Sequence, residues 1–597
     1  MKTSNKTQIP EWDLSDFYKN TRDPRIFNDL GTSLAESKSF RKKYSGKIKP
    51  KISSALLLNM FRALEKILEL AEKAAGFCEL VYTTDSTDIG NAVKAQKSRE
   101  LFLEIRKQLL FFDLDLARLP KQELDRLSNH PSLKNYQHYL TEIAKHKPYL
   151  LPEEQEKIFN DKSLTTAALV RLFDQHLSQK SFSIKLNGKQ RQVSLEEVLN
   201  LLDDKDRLKR KAAAEALTAG LKQDRQMLSL IYNSLIKDKA ISDFYRKFPS
   251  PEEERHVTNE ITQAVVDSLN AAVKKHYKVV QDFYRFKAKA LKLKQLEYFD
   301  RYAPVGEQQT NIKFDQAKKT VLESFAKFSP VFARIAQTFF ESSWIDARPR
   351  SGKRNGAYCS GMTPNTHPVV FMNYFGTVRD VKTLAHELGH GINAFLMCKQ
   401  TLLNFDHPLT LAETASVFCE MLVFDSLRNA ESDPKRKFSL YMDQITNMIA
   451  TVHRQISMYN FEKEVHSLQK QKGELTPDEL DELWQTNQKE MHGTSVAIDQ
   501  KYSNLWSYIP HFIHTPFYVY AYSFGELLTL SLYAIYKKNP DSFVPKYLKL
   551  METGSLLSPK QQLEPFGIDL EDPKFWEQGL ALMGSMIEEA KALHKSK

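Results

Sequence analysis

The sequence predicts a mainly α-helical protein with a few small β-strands, and three observations carry that prediction. Apolar residues recur at helical spacing in most windows, clearly in 52–78, 95–118, 195–220 and 259–293. Glycine is scarce, 20 in 597 residues, so the chain has few flexible breaks. Strand signals are sparse. The strongest runs from Phe182 to Val193 and alternates around Asn187-Gly188, a two-residue hairpin cue. Ser194-Leu-Glu-Glu197 follows it as a capping box that starts the next helix. Val369, Val370 and Phe371 also favour a strand. Residues 245–256 form a polar, proline-containing connection between helices.

The length allows a large core and more than one domain. The hairpin interrupts two helical regions near residues 180–200 and suggests a boundary, giving 1–195 and 196–597. Composition is that of an ordinary soluble protein, 42% hydrophobic and 27% charged. The net charge of +11 invites comparison with nucleic-acid binders, but the basic residues are spread among 74 acidic ones. The short basic runs Arg207–Lys211 and Lys287–Lys294 lie on helical patterns and are expected to be solvated faces. No nucleic-acid motif accompanies them. The N-terminal residues lack an apolar core, so no signal peptide is expected. The apolar stretch 515–536 contains Glu526 and reads as a buried helix with a lead-in loop rather than a membrane span. Cys78, Cys359, Cys398 and Cys419 are irregularly spaced, with no disulfide framework and no Cys metal motif. A reducing cytoplasm fits this pattern.

The chemistry concentrates in His386-Glu387-Leu388-Gly389-His390. Two histidines four apart on a helix lie about 40° apart around the axis and about 6 Å apart along it, so both rings reach one metal ion. Glu387 points beside them, where it can take a proton from a metal-bound water. Chance gives only about 0.03 such motifs in a chain of this composition. Val381, Leu384, Ala385, Leu388 and Ile392 form a stripe that buries one side of the helix. Lys382 and Glu387 are the only formal charges in 381–397. Zinc fits these donors, although Co²⁺ or Mn²⁺ could use them too.

A catalytic zinc usually has a third protein ligand. In the largely apolar stretch 408–424 only Glu413 and Glu420 are charged, and isolated carboxylates there are costly unless paired or metal-bound. Pro408 and Thr410 mark the start of a helix on which the two carboxylates share a face. Glu413 is the expected metal ligand, and Glu420 the candidate to orient a ligand histidine.

HELGH followed by LAETASVFCE, with Glu413 placed 23 positions after His390, resembles the thimet oligopeptidase and oligoendopeptidase F family of zinc peptidases. Further segments resemble the same family in the same order. They are Glu11–Tyr18, Phe299–Pro304, Gly352–Cys359, His367–Tyr374, Arg454-Gln455 with Phe461-Glu462, Pro510–Phe512 and Pro516–Tyr522. The resemblance implies a two-lobed helical ellipsoid with a deep substrate channel, whose catalytic part is 196–597. It implies one Zn²⁺ per chain and internal cleavage of short oligopeptides through a zinc-bound water. It also implies that His511, Tyr522 and Tyr518 bind substrate and stabilise the oxyanion, with Tyr520 behind them. Gly356, Ala357 and Tyr358 would bind the peptide main chain along a short edge strand in the segment that includes 369–371. Three other readings are kept: a zinc carboxypeptidase of related helical fold, a helical scaffold that binds peptides without cutting them, and a basic helical nucleic-acid binder. The sequence gives no oligomeric state.

Overall fold

The computed structural model describes residues 9–307 and 311–595. It is 72% helical, with a few short strands in small sheets. The windows of helical spacing are helices: Ser54–Thr84, Ile89–Leu109 with Phe111–Arg118, Leu195–Leu201 with Arg207–Gln223, and Gln263–Lys275 with Tyr277–Ala290. The polar connection expected at 245–256 is shorter in the structure: 247–252 joins the helix Arg225–Arg246 to the short helix Glu253–Thr258, and both ends of the expected segment are helical.

The strands are β1 (Phe182–Leu186), β2 (Lys189–Val193), β3 (Leu296–Glu297), β4 (Ile345–Asp346), β5 (Tyr358–Ser360), β6 (Val369–Phe371) and β7 (Val496–Ala497). β1 and β2 pair antiparallel through Leu186↔Lys189, with Asn187 and Gly188 both at positive φ, the backbone a two-residue hairpin turn requires. The Ser194 side chain then accepts from the Glu197 N–H and caps the next helix. The three-stranded sheet runs β4-β6-β5. The strand expected at 369–371 is therefore its central member and fully buried, not an edge. The edges on either side of it are β4 and β5.

Packing gathers the chain into two compact units. The first takes 1–147, 309–430 and 535–568, and the second takes 148–308, 431–534 and 569–597. Each is thus built from three interleaved stretches, whereas the sequence division at 195 followed chain order. The hairpin lies inside the second unit, where the β1–β2 pair packs on the helix Arg207–Gln223.

In the first unit the motif helix Val378–Met397 runs against Thr414–Ala430. Thr377 caps the motif helix in a reciprocal box with Asp380. The apolar stripe Val381, Leu384, Ala385, Leu388 and Ile392 is buried as its spacing demands. In the second unit the helix His453–Lys472 and the stretch 520–534 of the helix Tyr520–Lys538 are largely buried. No helix among the described residues is long and apolar enough to cross a membrane.

The basic runs are not simply solvated faces. Arg207 and Arg210 both bond the fully buried Asp300, at 2.9 and 2.8 Å. Lys287 is buried and donates to the Arg301 carbonyl at 2.6 Å. The helix of each run turns one or two long cations inward to satisfy buried acceptors, which charge counting does not reveal.

Candidate metal centre and the histidine–tyrosine cluster

The motif helix and the Thr414–Ala430 helix bring His386, His390 and Glu413 together. One ligand atom from each lies within 4.8 Å of the others, a group that could hold a metal ion. Glu413 Oε2 is 3.3 Å from His386 Nε2 and 3.4 Å from His390 Nε2. Glu413 does not sit inside one helix with Glu420. The short helix Leu409–Ala412 ends at it and Thr414–Ala430 starts after it, so Glu413 occupies a break between the two. The Ser416 hydroxyl donates to Glu413 Oε2 at 2.7 Å, and the Tyr547 hydroxyl ties down the Thr414 carbonyl at 2.8 Å. The carboxylate is therefore held in place by its neighbours rather than by helix geometry alone.

Glu420 lies 3.5 Å from His386 Nδ1 through Oε2, while its Oε1 pairs with Lys382 at 2.8 Å. Burial disfavours charge on the His386 ring, but its bonds to Glu413 and Glu420 overcome this and raise it to about 10. Burial likewise opposes ionisation of Glu420, yet Lys382 and His386 hold it down at about 2. Burial lowers His390, against the pull of Glu413. The cluster thus carries more negative charge than positive, and one protonated imidazole compensates. Glu387 is 6% exposed, and burial pushes its carboxyl up to about 7. A carboxyl at that level can exchange a proton near neutral pH.

Gly389 allows the close approach behind this geometry. A Cβ there would meet the Ala415 carbonyl at 2.6 Å and Ser416 Cα at 2.7 Å. At the far end of the helix, Asn393 donates to the Met551 carbonyl at 2.8 Å and shares a 2.8 Å bond with His407 Nε2.

In the second unit His511 opens the short helix His511–His514. Its Nε2 shares a 3.1 Å hydrogen bond with the Tyr522 hydroxyl. The Tyr518 ring stacks on His511 at 6.2 Å and meets the Tyr522 ring edge-on at 5.0 Å. Burial, with Arg454 and His514 nearby, lowers His511, which favours the neutral ring. His514 turns aside to Asp174 at 2.8 Å. Tyr520 departs from expectation. It is fully buried, its hydroxyl bonded to His256 Nδ1 at 3.0 Å and Asn259 Nδ2 at 2.8 Å. Its ring and hydroxyl are taken up by these inward partners, so Tyr520 anchors the segment.

Back in the first unit, the Tyr358 hydroxyl bonds Thr83 at 2.6 Å and its ring stacks on Phe371 at 4.9 Å. That side chain secures β5 to its surroundings. Gly356, at φ +89, has open space where a Cβ would stand, which leaves the main chain at Gly356 and Ala357 approachable.

Sequence reasoning passed over Lys382, Gly389, Asn393 and Ser416. Lys382 did carry a signal: the one cation in the largely apolar stretch 381–397, one turn before His386, needs an acid partner. The others act through distances that no pattern encodes.

Comparison with known proteins agrees with this geometry. The family model "Peptidase family M3" matches residues 200–582, and "Oligopeptidase F" matches residues 115–180. Oligopeptidase PepF of Bacillus subtilis is 25% identical over 569 residues, covering 92% of this chain and 82% of that protein. An oligoendopeptidase F homolog of Lactococcus lactis is 24% identical, covering 99% and 98%. Among solved structures, a Chlamydophila abortus protein described as a peptidase superposes with a TM-score of 0.87 at 23% identity, covering 98% of each chain. Oligoendopeptidase-F from Enterococcus faecium superposes with a TM-score of 0.72 at 20% identity, covering 96% and 99%. Those structures establish the helical fold, and the M3 match spans well over half of the sequence. The chain belongs to peptidase family M3 and is a metalloendopeptidase.

Proposed function

We propose that this metalloendopeptidase is zinc-dependent and cuts internal bonds of short oligopeptides. The observation that carries the reading is the cluster of two imidazoles and one carboxylate with Glu387 beside it. The 3.3 and 3.4 Å separations match the edge of a tetrahedron whose corners lie about 2.0–2.1 Å from its centre, the zinc–nitrogen bond length. His386, His390 and Glu413 would hold one Zn²⁺ per chain, with Glu420 orienting His386 through Nδ1 and Lys382 steadying Glu420. When bound, the ion supplies Lewis acidity, which polarises the scissile carbonyl and acidifies water.

The residues' own parts follow from their placement. Glu387, poised near neutrality by burial, accepts the proton of the attacking water and returns it to the leaving amine. His511 and Tyr522 donate to the oxygen on which charge develops, with Tyr518 packed against both rings. The edge of β5 near Gly356 and Ala357 receives the peptide main chain, which favours broad sequence tolerance. The names of its relatives, PepF and oligoendopeptidase F, support oligopeptides as substrates. A cytoplasmic location is part of the proposal, supported by four free cysteines.

The test is cleavage of an internally quenched peptide blocked at both ends, with and without o-phenanthroline and added zinc. An endopeptidase cuts it and a carboxypeptidase does not. Metal-dependent internal cleavage is expected, and absence of cleavage by zinc-loaded protein would overturn the reading.

A further inference from the structure

We propose that Glu462 is a positioning residue for the His511–Tyr518–Tyr522 cluster, holding the Phe517 N–H and thereby fixing the backbone turn that aims Tyr518 and Tyr522. The inference rests on the reading of that cluster as a substrate-facing donor set.

The turn is unusual. Phe517 has φ +57°, a left-handed backbone that a bulky side chain adopts only when its surroundings impose it. It stands between the His511–His514 helix and the Tyr520–Lys538 helix, one residue before Tyr518. The peptide unit joining Pro516 to Phe517 is gripped at both ends. Its N–H donates to Glu462 Oε1 at 2.9 Å, and its carbonyl accepts from Arg255 Nε at 3.3 Å. A peptide so held cannot flip, and a flip is the motion that would release the left-handed turn. The Phe517 ring is fully buried against His466 at 4.7 Å and Tyr459 at 6.4 Å. Three residues on, Tyr520 is pinned through its hydroxyl by His256 and Asn259. Tyr518 therefore sits between two fixed points, and Tyr522 follows on the first turn of the helix.

Glu462 itself asks for an explanation. It projects from the His453–Lys472 helix and is fully buried, and its second oxygen, Oε2, has no hydrogen-bond partner. A buried carboxyl with one oxygen unsatisfied is costly, and a leucine would fill the same core space without that cost. What leucine cannot do is accept the Phe517 N–H. The carboxyl is thus spent on one peptide unit, immediately before the residue that stacks on His511.

The test compares Glu462→Ala and Glu462→Gln in the full chain, with zinc content measured for each. Alanine removes the acceptor, and glutamine keeps a carbonyl oxygen in its place. The alanine variant should keep its zinc and lose about tenfold to a hundredfold in kcat, the cost of misplacing a donor by a fraction of an ångström to an ångström. Its KM should stay within about threefold, because the loss falls on the transition state. Glutamine should recover most of the rate. Should alanine prevent folding, Glu462→Asp, which keeps the carboxyl and withdraws it by one methylene, takes its place with the same expected loss. Amide hydrogen exchange at Phe517 is read in the same proteins without substrate: protected in wild type and Gln, opened in Ala or Asp. A folded alanine variant with wild-type kcat, a glutamine variant as impaired as alanine, or unchanged exchange at Phe517 would each overturn the proposal. If the wild type itself cuts no peptide, the functional reading falls, and the exchange result alone decides whether Glu462 holds the turn.

Discussion

His386 and His511 are both partly withdrawn from water, yet their surroundings drive them in opposite directions. His386 lies among Glu413, Glu420 and Glu387, and its bonds to the first two outweigh burial and raise it to about 10. His511 lies beside Arg454, His514 and the rings of Tyr518 and Tyr522, so burial first and then the charge of Arg454 lower it. The first cluster is organised around a positive charge that its own side chains supply poorly. The second keeps its imidazole neutral and surrounds it with hydroxyl groups. One arrangement suits binding a cation, the other suits offering hydrogen bonds to an oxygen that gains charge.

That contrast can be broken most severely at Glu413. Replacing it by Ala removes the acid that both imidazoles face, and the protein should lose its zinc and essentially all peptide cleavage, measured by metal analysis beside a rate assay. A folded Glu413→Ala protein that keeps one tightly held zinc would contradict the cluster's assignment. At the other cluster, Tyr522→Phe deletes the hydroxyl bonded to His511 and nothing else. Loss of one oxyanion donor costs roughly 10²–10³ in kcat. Zinc content and KM should stay nearly constant, and a wild-type kcat would remove Tyr522 from the donor set.

A milder change sharpens the comparison. Glu420→Gln keeps a partner for His386 Nδ1 but discards the negative charge and frees Lys382. Metal affinity should fall about 10–100-fold, the usual cost of losing such a support, read by competition with a chelator. An unchanged affinity would mean that Glu420 serves packing alone.

The least local effect concerns the neutral histidines of the second unit. Burial lowers His466 to about 3 and His492 to about 3, and His453 lies well below its ordinary value for the same reason. The unfolded chain takes up protons on these rings below about pH 6.5 while the folded one does not. Stability is therefore complete above that pH and declines as pH falls towards 3. His466 and His492 each contribute about 2 kcal/mol of that loss by pH 5. Thermal melts at pH 7.5 and pH 5 should show it, and replacing His492 by Gln should shrink the difference if the variant folds. A melting temperature independent of pH over this range would exclude the mechanism.

How far the sequence reaches differs between the clusters for a physical reason. The metal cluster is legible because its ligands obey local geometry: i, i+4 spacing places His386 and His390, and an acid in an apolar run marks Glu413. Even there, the break in the helix at Glu413 was hidden, because it is stabilised by Ser416 and Tyr547 rather than by a local breaker. The histidine–tyrosine cluster depends on which way each side of a short turn faces. Tyr518, Tyr520 and Tyr522 look equivalent in sequence, and only the left-handed backbone at Phe517 and the bonds to His256 and Asn259 separate the anchor from the others. The hairpin at Asn187-Gly188 was legible because its turn chemistry is local. The central position of β6 was not, because strand order depends on partners far along the chain. The inward turn of Lys287, Arg207 and Arg210 was hidden likewise, since it answers to carbonyls and to an acid at 300–301 that sequence spacing does not connect to them.

The most direct test of the account is Glu387→Gln, assayed for bound zinc and for cleavage of the doubly blocked peptide in one preparation beside wild type. Glutamine preserves shape but cannot take a proton. About one zinc per chain is expected in both proteins, with a rate reduced about 10²–10⁴-fold in the variant. A variant that cleaves at the wild-type rate, or a wild type that cleaves without bound metal, would contradict it.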